Sequence, residues 1–174
     1  MSKTFLYFAY GSNMLTKRIH INNPTAVKKY VGTLKDYRLD FITFSKRWQG
    51  CAATIVPCPA FEVWGIVWEI NISNMPDLDK QEGVHMNLYF AKNVIINTTI
   101  GENIECRVYQ QLCLPEEYLK PIFLPPERQP SFIYLNTLIR GAKEHKINKD
   151  YIKYLESFHH NGYNGEIEIQ GIFD

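Results

Sequence analysis

The spacing of apolar residues predicts a chain built largely from short β-strands. Residues 4–9 form a continuous apolar run, which is typical of a strand buried on both faces. Residues 61–70 are apolar on both alternating faces until the run ends, so we expect a second central strand there. Further strand-like runs lie at 27–34, 37–44, 51–56, 88–98 and 102–112, the first two joined through Lys35 and Asp36.

Helix signals occur at 14–20, 73–81, 131–145 and 148–158. Ser12 or Asn13 is the candidate N-cap of the first helix, and Ser73 or Asn74 that of the second. The second helix should end at Gly83, because glycine readily takes the left-handed conformation that terminates helices.

The order of these elements, β-α-β-β-β-β-α-β-β-α-α, predicts the fold class. Residues 115–130 hold five prolines in sixteen positions and are expected to form a loop outside any sheet. Strands that follow one another closely pair antiparallel, with the helices placed apart. We therefore predict an α+β fold, a small, mostly antiparallel β-barrel or curled sheet with flanking helices. One domain should cover residues 1–174.

Composition excludes several partner classes. Nineteen basic and 18 acidic residues give a net charge of +1, so no strong field favours nucleic acid or a membrane surface. No run approaches the roughly 20 apolar residues of a membrane helix, and the N-terminus leads directly into a strand. We expect a cytosolic protein with reduced thiols and no metal site, because close pairs of the C-x₂₋₄-C type are absent. The cysteines are Cys51, Cys58, Cys106 and Cys113.

The break between the first strand and the first helix is a candidate binding site. Gly11 lets the backbone turn sharply and approach a ligand closely. The N–H groups of Gly11, Ser12 and Asn13 would then face outward at the positive end of a helix, which suits a carboxylate or a phosphate. The alternative is an ordinary turn in which Ser12 or Asn13 caps the helix.

Glu82 is the second candidate. An acidic residue at the end of a helix meets the negative end of the helix dipole, so it does not serve stability there. Such a locally unfavourable residue indicates a functional role, and the alternative is a solvated surface glutamate. Ser12 is a poor nucleophile candidate, because it lacks a G-x-S-x-G elbow and an evident His and Asp in order.

Five blocks of sequence, taken together, are specific. They are residues 5–14 (FLYFAYGSNM) with Arg18-Ile19-His20 and Asn23-Pro24, then 62–68 (EVWGIVW), 78–84 (LDKQEGV), 106–109 (CRVY) and 141–144 (GAKE). In this order they resemble the γ-glutamylcyclotransferase family.

The resemblance implies a small β-barrel with helices and a reaction without a cofactor. Members of this family cleave L-γ-glutamyl-amino acids into 5-oxoproline and a free amino acid, so the implied partners are small γ-glutamyl peptides, with a homodimer as a possible assembly. It implies that Glu82 is the catalytic residue. The implied substrate-binding residues are Tyr7, Tyr10, Gly11, Ser12, Asn13, Met14, Tyr89 and Tyr134.

Three alternatives stay open beside this one. Glutathione-specific and γ-glutamylamine cyclotransferases carry other loops, of the types Gly-Tyr-Gly-Ser-Leu and Tyr-Gly-Thr-Leu, and a non-catalytic binding relative would keep the pocket alone. The loop N–H groups could hold either the substrate's α-carboxylate or the developing oxyanion. Residues 115–130 and the tail 165–174 depart from the family pattern, which leaves the acceptor range and the dimer contacts open.

Overall fold

A computed structural model of the chain describes residues 2–167, so most of the tail at 165–174 lies outside the described residues. Within that range the strands and helices, in chain order, are β1 (Thr4–Ala9), α1 (Thr16–Asn22), β2 (Val27–Ser45), β3 (Gly50–Asn71), α2 (Met75–Gln81), β4 (Tyr89–Thr98), β5 (Asn103–Gln111), α3 (Phe132–Glu144) and α4 (Lys149–Glu156). Short 3₁₀ turns lie at Ser12–Met14, Ile72–Asn74, Val84–Met86, Pro121–Phe123 and Pro126–Arg128.

The strands form a closed barrel in the order β1-β3-β2-β4-β5. All neighbouring strands are antiparallel except β1 and β5, which run parallel and close the barrel at Tyr7 and Arg107. Residues 115–130 form no strand, as their prolines predict. The predicted α+β fold with a mostly antiparallel barrel is therefore confirmed.

The prediction of two strands at 27–44 and two more at 51–70 was wrong. Each region is one long strand, and β2 and β3 pair along almost their whole length. Where a turn was expected, Asp36 takes a left-handed φ of 62° and stands alone opposite the four residues 58–61, which form a large bulge. The Asp36 carboxylate accepts a hydrogen bond from the Ala60 N–H at 3.1 Å. Residues that favour turns therefore bend these strands and do not end them.

The four predicted helices are confirmed to within two residues at each end, but the predicted caps of the first two were wrong. Ser131 caps α3 by accepting from the Tyr134 N–H, and Gly83 follows α2 with a φ of 65°. The first helix begins at Thr16 and has no side-chain cap, so the capping roles of Ser12 and Asn13 were wrong. Before α2 it is Asn71 whose side chain accepts from the Ser73 N–H, where Ser73 or Asn74 had been predicted to cap.

A close contact between α3 and the Ser12–Met14 turn fixes the end of β1. A methyl group added at Gly141 would stand 2.6 Å from the Leu15 nitrogen and 2.7 Å from the Met14 carbonyl carbon. Only a residue without a side chain allows that approach. The helix therefore holds the predicted binding loop directly against the protein core.

Candidate functional site

A cavity of about 480 Å³ lies beside the end of β1. Its walls come from the loop after β1, from α1, from the turn between β2 and β3, from the end of α2 and from β4, β5 and α3. The predicted site residues that line it are Tyr7, Tyr10, Gly11, Ser12, Asn13, Glu82, Tyr89 and Tyr134. The fold thus brings together residues that lie up to 127 positions apart in the chain.

Met14 does not line the cavity, and its predicted place among the binding residues was wrong. It is completely buried and packs under α3 at Gly141. Because α3 approaches so closely there, the Met14 side chain packs beneath the loop against α3.

Asn13 holds the loop in place. Its side-chain amide donates to the Tyr7 hydroxyl at 3.2 Å and accepts from the Gln81 amide at 3.1 Å. Its carbonyl oxygen accepts from the Trp68 indole at 3.0 Å. These bonds join the loop to β1, to β3 and to the end of α2, one residue before Glu82.

The loop also carries spare hydrogen-bond donors. Among residues 2–167, no group accepts a hydrogen bond from the backbone N–H of Gly11, Ser12 or Asn13. Backbone donors that the fold leaves without partners beside a cavity are suited to binding an anion. This geometry favours the binding interpretation over a simple capped turn.

Glu82 lies at the C-terminal end of α2, where its N–H donates to the Leu78 carbonyl at 3.0 Å. The side chain is half-buried in the cavity wall, so it is not the solvated surface residue of the alternative interpretation. No residue of the described chain donates a hydrogen bond to its carboxylate. Its proton-transfer capacity is therefore available to a ligand.

Burial raises the pKa of Glu82 from its usual 4.5 to about 7. Arg18 and Arg47 oppose this rise through their positive charges, while the negative charge of Asp79 adds to it. A carboxyl group with a pKa near neutrality exchanges protons readily in both directions. Glu82 is thus suited to act first as a base and then as an acid.

The cavity tyrosines differ in the direction of their hydrogen bonds. The Tyr10 hydroxyl donates to the Tyr109 carbonyl at 2.6 Å, and the Tyr89 hydroxyl donates to the Ala53 carbonyl at 2.7 Å. In contrast, the Tyr134 hydroxyl accepts from the Ala53 N–H at 3.0 Å, as Tyr7 accepts from the Asn13 amide. The hydroxyl hydrogens of Tyr7 and Tyr134 therefore remain free to bind a ligand.

Sequence reasoning missed Arg18, which is 2% exposed and lines the cavity. Its Nε has no partner among the described residues, and its guanidinium carbon lies 6.0 Å from the centre of the Trp48 ring. A buried cation without a full set of partners is costly unless a ligand completes it. The helical spacing was the available signal, because Arg18 shares one face of α1 with the buried Leu15 and Ile19.

A second missed cluster ties α2 to the barrel. Asp79 accepts from the Arg107 guanidinium at 2.7 Å and from the Tyr109 hydroxyl at 2.5 Å. Arg107 also donates to the Tyr109 hydroxyl at 3.0 Å. These bonds orient the helix that ends at Glu82, so Asp79 affects both the position and the pKa of Glu82.

The described residues lack three features: a histidine base beside Ser12, a cluster of metal ligands and a membrane-spanning helix. Within residues 2–167 no histidine lines it, so Ser12 has no imidazole base beside it. No group of three or more metal-ligating side chains occurs in the described part of the chain. None of the described helices has the length and apolar composition needed to cross a bilayer.

Comparison with known proteins identifies the family. Residues 62–155 match the model of the AIG2-like family. A γ-glutamylcyclotransferase of Bos taurus is 42% identical over 98% of this chain and 88% of that protein, and one of Mus musculus is 43% identical over 95% and 84%. The chain belongs to the γ-glutamylcyclotransferase family. A solved structure of a γ-glutamyl cyclotransferase superimposes with a TM-score of 0.83 at 38% identity, covering 95% of this chain and 94% of the other. The family resemblance of the five sequence blocks is thereby confirmed.

Proposed function

We propose that this protein converts L-γ-glutamyl-amino acids into 5-oxoproline and the free amino acid, with Glu82 as the general acid and base. One observation carries the assignment of roles. Glu82, with a pKa of about 7, is the acidic member of a cavity whose other charged lining residues, within the described chain, are the cations Arg18, Lys46, Arg47 and Lys80. Such a cavity suits an anionic substrate and provides one group for proton transfer.

The reaction is an intramolecular aminolysis. The substrate's α-amino nitrogen attacks the γ-carbonyl carbon, a five-membered lactam forms, and the bond to the acceptor nitrogen breaks. Glu82 removes a proton from the α-ammonium group before attack and returns a proton to the leaving amine. Holding the substrate in its folded conformer supplies much of the rate, since well-oriented intramolecular reactions reach effective molarities of about 10⁵–10⁸ M.

The two kinds of donor in the cavity suit two different oxygens. Arg18 carries a full charge and so matches the permanent charge of the α-carboxylate. The N–H groups of Gly11, Ser12 and Asn13 are neutral and fixed by the fold, which suits the oxyanion that develops on the γ-carbonyl. Ser12 then acts through its backbone as a binding residue and not as a nucleophile. The free hydroxyls of Tyr7 and Tyr134 orient the γ-glutamyl group.

Release of 5-oxoproline from γ-glutamyl-alanine tests this proposal. We expect the wild type to release it, and Glu82→Gln to lose about 10²–10⁴-fold in kcat, the usual contribution of a general acid-base group. Glu116→Gln is the matched control, because Glu116 is exposed in the loop after β5 and does not line the cavity. Near-normal turnover by Glu82→Gln would show that another group transfers the protons.

The same assay separates the related activities. Glutathione and γ-glutamyl-ε-lysine are tested beside γ-glutamyl-alanine at equal concentration. We expect the dipeptide to be turned over fastest, and faster turnover of glutathione would move the protein to the glutathione-specific activity. Binding of γ-glutamyl-alanine in calorimetry without any 5-oxoproline would instead indicate a non-catalytic relative.

We also propose a cytosolic location and a homodimer as the working assembly. The free thiols of the described cysteines suit a reducing compartment. Fluorescence microscopy of the tagged chain tests the location, and analytical ultracentrifugation tests the assembly. A purely monomeric species at micromolar concentration would exclude the dimer.

A further inference from the structure

The mechanism above assigns no ligand atom to Arg47, although Arg47 lines the same cavity. It lies in the four-residue turn between β2 and β3 and is half-buried there. Among the described residues, no carboxylate or carbonyl pairs with its guanidinium. Its charge acts on two cavity residues, lowering the pKa of both Arg18 and Glu82. Arg47 is therefore an unneutralised cation that faces the reaction site.

The turn that carries Arg47 is held in place by the residues that follow Arg47. The neighbouring Trp48 is buried, with its ring 4.8 Å from the ring of Tyr134. The Gln49 carbonyl accepts from the Asn161 amide at 2.8 Å. A methyl group at Gly50 would stand 2.1 Å from the Ser131 nitrogen, so the turn lies directly against the start of α3. The backbone at Arg47 is thus held in a fixed position by its neighbours.

Arg18 and Arg47, the two guanidinium groups of the cavity lining, together suit a ligand with two negative groups. Arg18 is deeply buried, whereas Arg47 is more exposed, so the two cations lie at different depths. Each guanidinium is suited to bind one carboxylate through paired hydrogen bonds. A γ-glutamyl group brings a single carboxylate, the α-carboxylate assigned to Arg18. A second carboxylate must come from the acceptor part of the substrate.

We propose that Arg47 binds the carboxylate of the acceptor amino acid and so selects γ-glutamyl-amino acids over γ-glutamylamines. This inference rests on the proposed function, since it assumes that the γ-glutamyl group occupies the cavity beside Glu82. The acceptor nitrogen is bonded to the γ-carbonyl carbon, and its carboxylate is separated from that nitrogen by one carbon. Arg47 therefore distinguishes acceptors with a carboxylate from acceptors without one, at a position close to the bond that breaks.

A pair of substrates that differ only at that carboxylate tests the proposal. γ-Glutamyl-alanine has a free acceptor carboxylate, and γ-glutamyl-alaninamide replaces it by a neutral amide of the same size. We expect the wild type to prefer the acid by about 10- to 100-fold in kcat/KM, the usual worth of a hydrogen-bonded charge pair. Arg47→Gln should reduce that preference to about 3-fold or less, mainly through a higher KM for the acid.

Two variants serve as controls. Lys35→Gln removes an exposed charge of β2 that does not line the cavity and should keep the wild-type preference. Arg47→Lys keeps the charge without the paired donors and should restore part of the preference. The ratio of the two substrates matters because loss of Arg47 also changes the pKa of Glu82, which affects both substrates equally.

An unchanged ratio in Arg47→Gln, or a loss that is equal for both substrates, would overturn the role of Arg47. Absence of 5-oxoproline from both substrates in the wild type would instead contradict the proposed function. In that case calorimetry with the same two compounds decides the inference, because Arg47→Gln should weaken binding of the acid and leave binding of the amide unchanged.

Discussion

Replacing Glu82 by Gln should stabilise the protein at alkaline pH while it removes activity. The pKa of Glu82 is raised to about 7 from 4.5 because burial disfavours the ionised carboxylate more than the nearby arginines favour it. The folded state therefore binds the proton more tightly than the unfolded state. This stabilisation is fully present below pH 4.5 and is lost as the pH rises through about 7.

The size of the effect follows from the difference between these pKa values. Each unit of pKa difference corresponds to about 1.4 kcal/mol, so the ionised carboxylate costs about 3 kcal/mol in a fully desolvated site. Glu82 is half-buried, so about 1–3 kcal/mol is a better expectation. A glutamine side chain has nearly the same shape and no charge, and it avoids this cost. For a chain of this length the difference corresponds to about 2–12 °C in Tm.

Thermal unfolding measured from pH 5 to pH 8.5 tests this reasoning. The Tm of Glu82→Gln should rise relative to the wild type as the pH increases, whereas Glu116→Gln should follow the wild type throughout. The kcat/KM of the wild type should rise with pH through about 7, since the base must be ionised in the free enzyme. A constant Tm difference across the range would refute the raised pKa, whatever the activity of the variant.

Three further substitutions probe the surroundings of Glu82. Asp79→Asn removes a negative charge that raises the pKa of Glu82, so the rising limb of the pH–rate profile should move to lower pH, by less than about one unit. Tyr134→Phe should lower kcat/KM by about 10-fold, since it removes one positioning hydrogen bond and leaves proton transfer in place. Gly141→Ala should cost about 1–3 kcal/mol in calorimetric unfolding and raise KM, because the new methyl group displaces the binding loop.

A shift of the limb to higher pH in Asp79→Asn would mean that its bonds to β5 outweigh its charge. Losses of equal size in Tyr134→Phe and Glu82→Gln would overturn the ranking of their roles. Lys143→Ala is the control for Gly141→Ala, because it adds no bulk on the exposed side of α3 and removes only a surface ion pair with Glu156, worth about 0–1 kcal/mol. Equal stability of these two variants would show that the contact at Gly141 is loose.

Patterns within single elements predicted the fold well. The apolar run of β1 and the end of α2 at Gly83 depend on neighbouring residues, and both are as expected. The bulge at Asp36 could not be predicted, because the same residues favour a turn or a bulge according to what lies across the sheet. Long-range pairing with Ala60 decided between the two.

The lining of the cavity was predictable where its residues occur in one sequence block, and less so elsewhere. Loop donors and Glu82 stand out through local signals, namely a glycine break and an acid at a helix end. Arg18 and Arg47 gave a weaker signal, since a basic residue is ordinary until the fold places it in a cavity. Met14 was misplaced because a position in the loop does not reveal that α3 packs against its side chain.

The barrel has two strand boundaries with few paired residues, called seams here, between β1 and β5 and between β2 and β4. Within the described chain, β1 meets β5 at one residue pair and β2 meets β4 at two, whereas β2 and β3 pair over most of their length. The barrel therefore consists of a broad three-stranded ribbon, formed by β1, β3 and β2, and a narrow hairpin of β4 and β5. Weakly paired boundaries open more often than long ladders, and amide hydrogen exchange should be fastest there.

The cavity spans that division. Tyr7 and the binding loop belong to the ribbon, Tyr89 and Tyr109 belong to the hairpin, and Glu82 lies on the connection between them. The width of the cavity therefore depends on how the hairpin lies against the other three strands. The bonds from Asp79 to Arg107 and Tyr109 fix that position, because they tie the hairpin to α2, the helix that leads to Glu82.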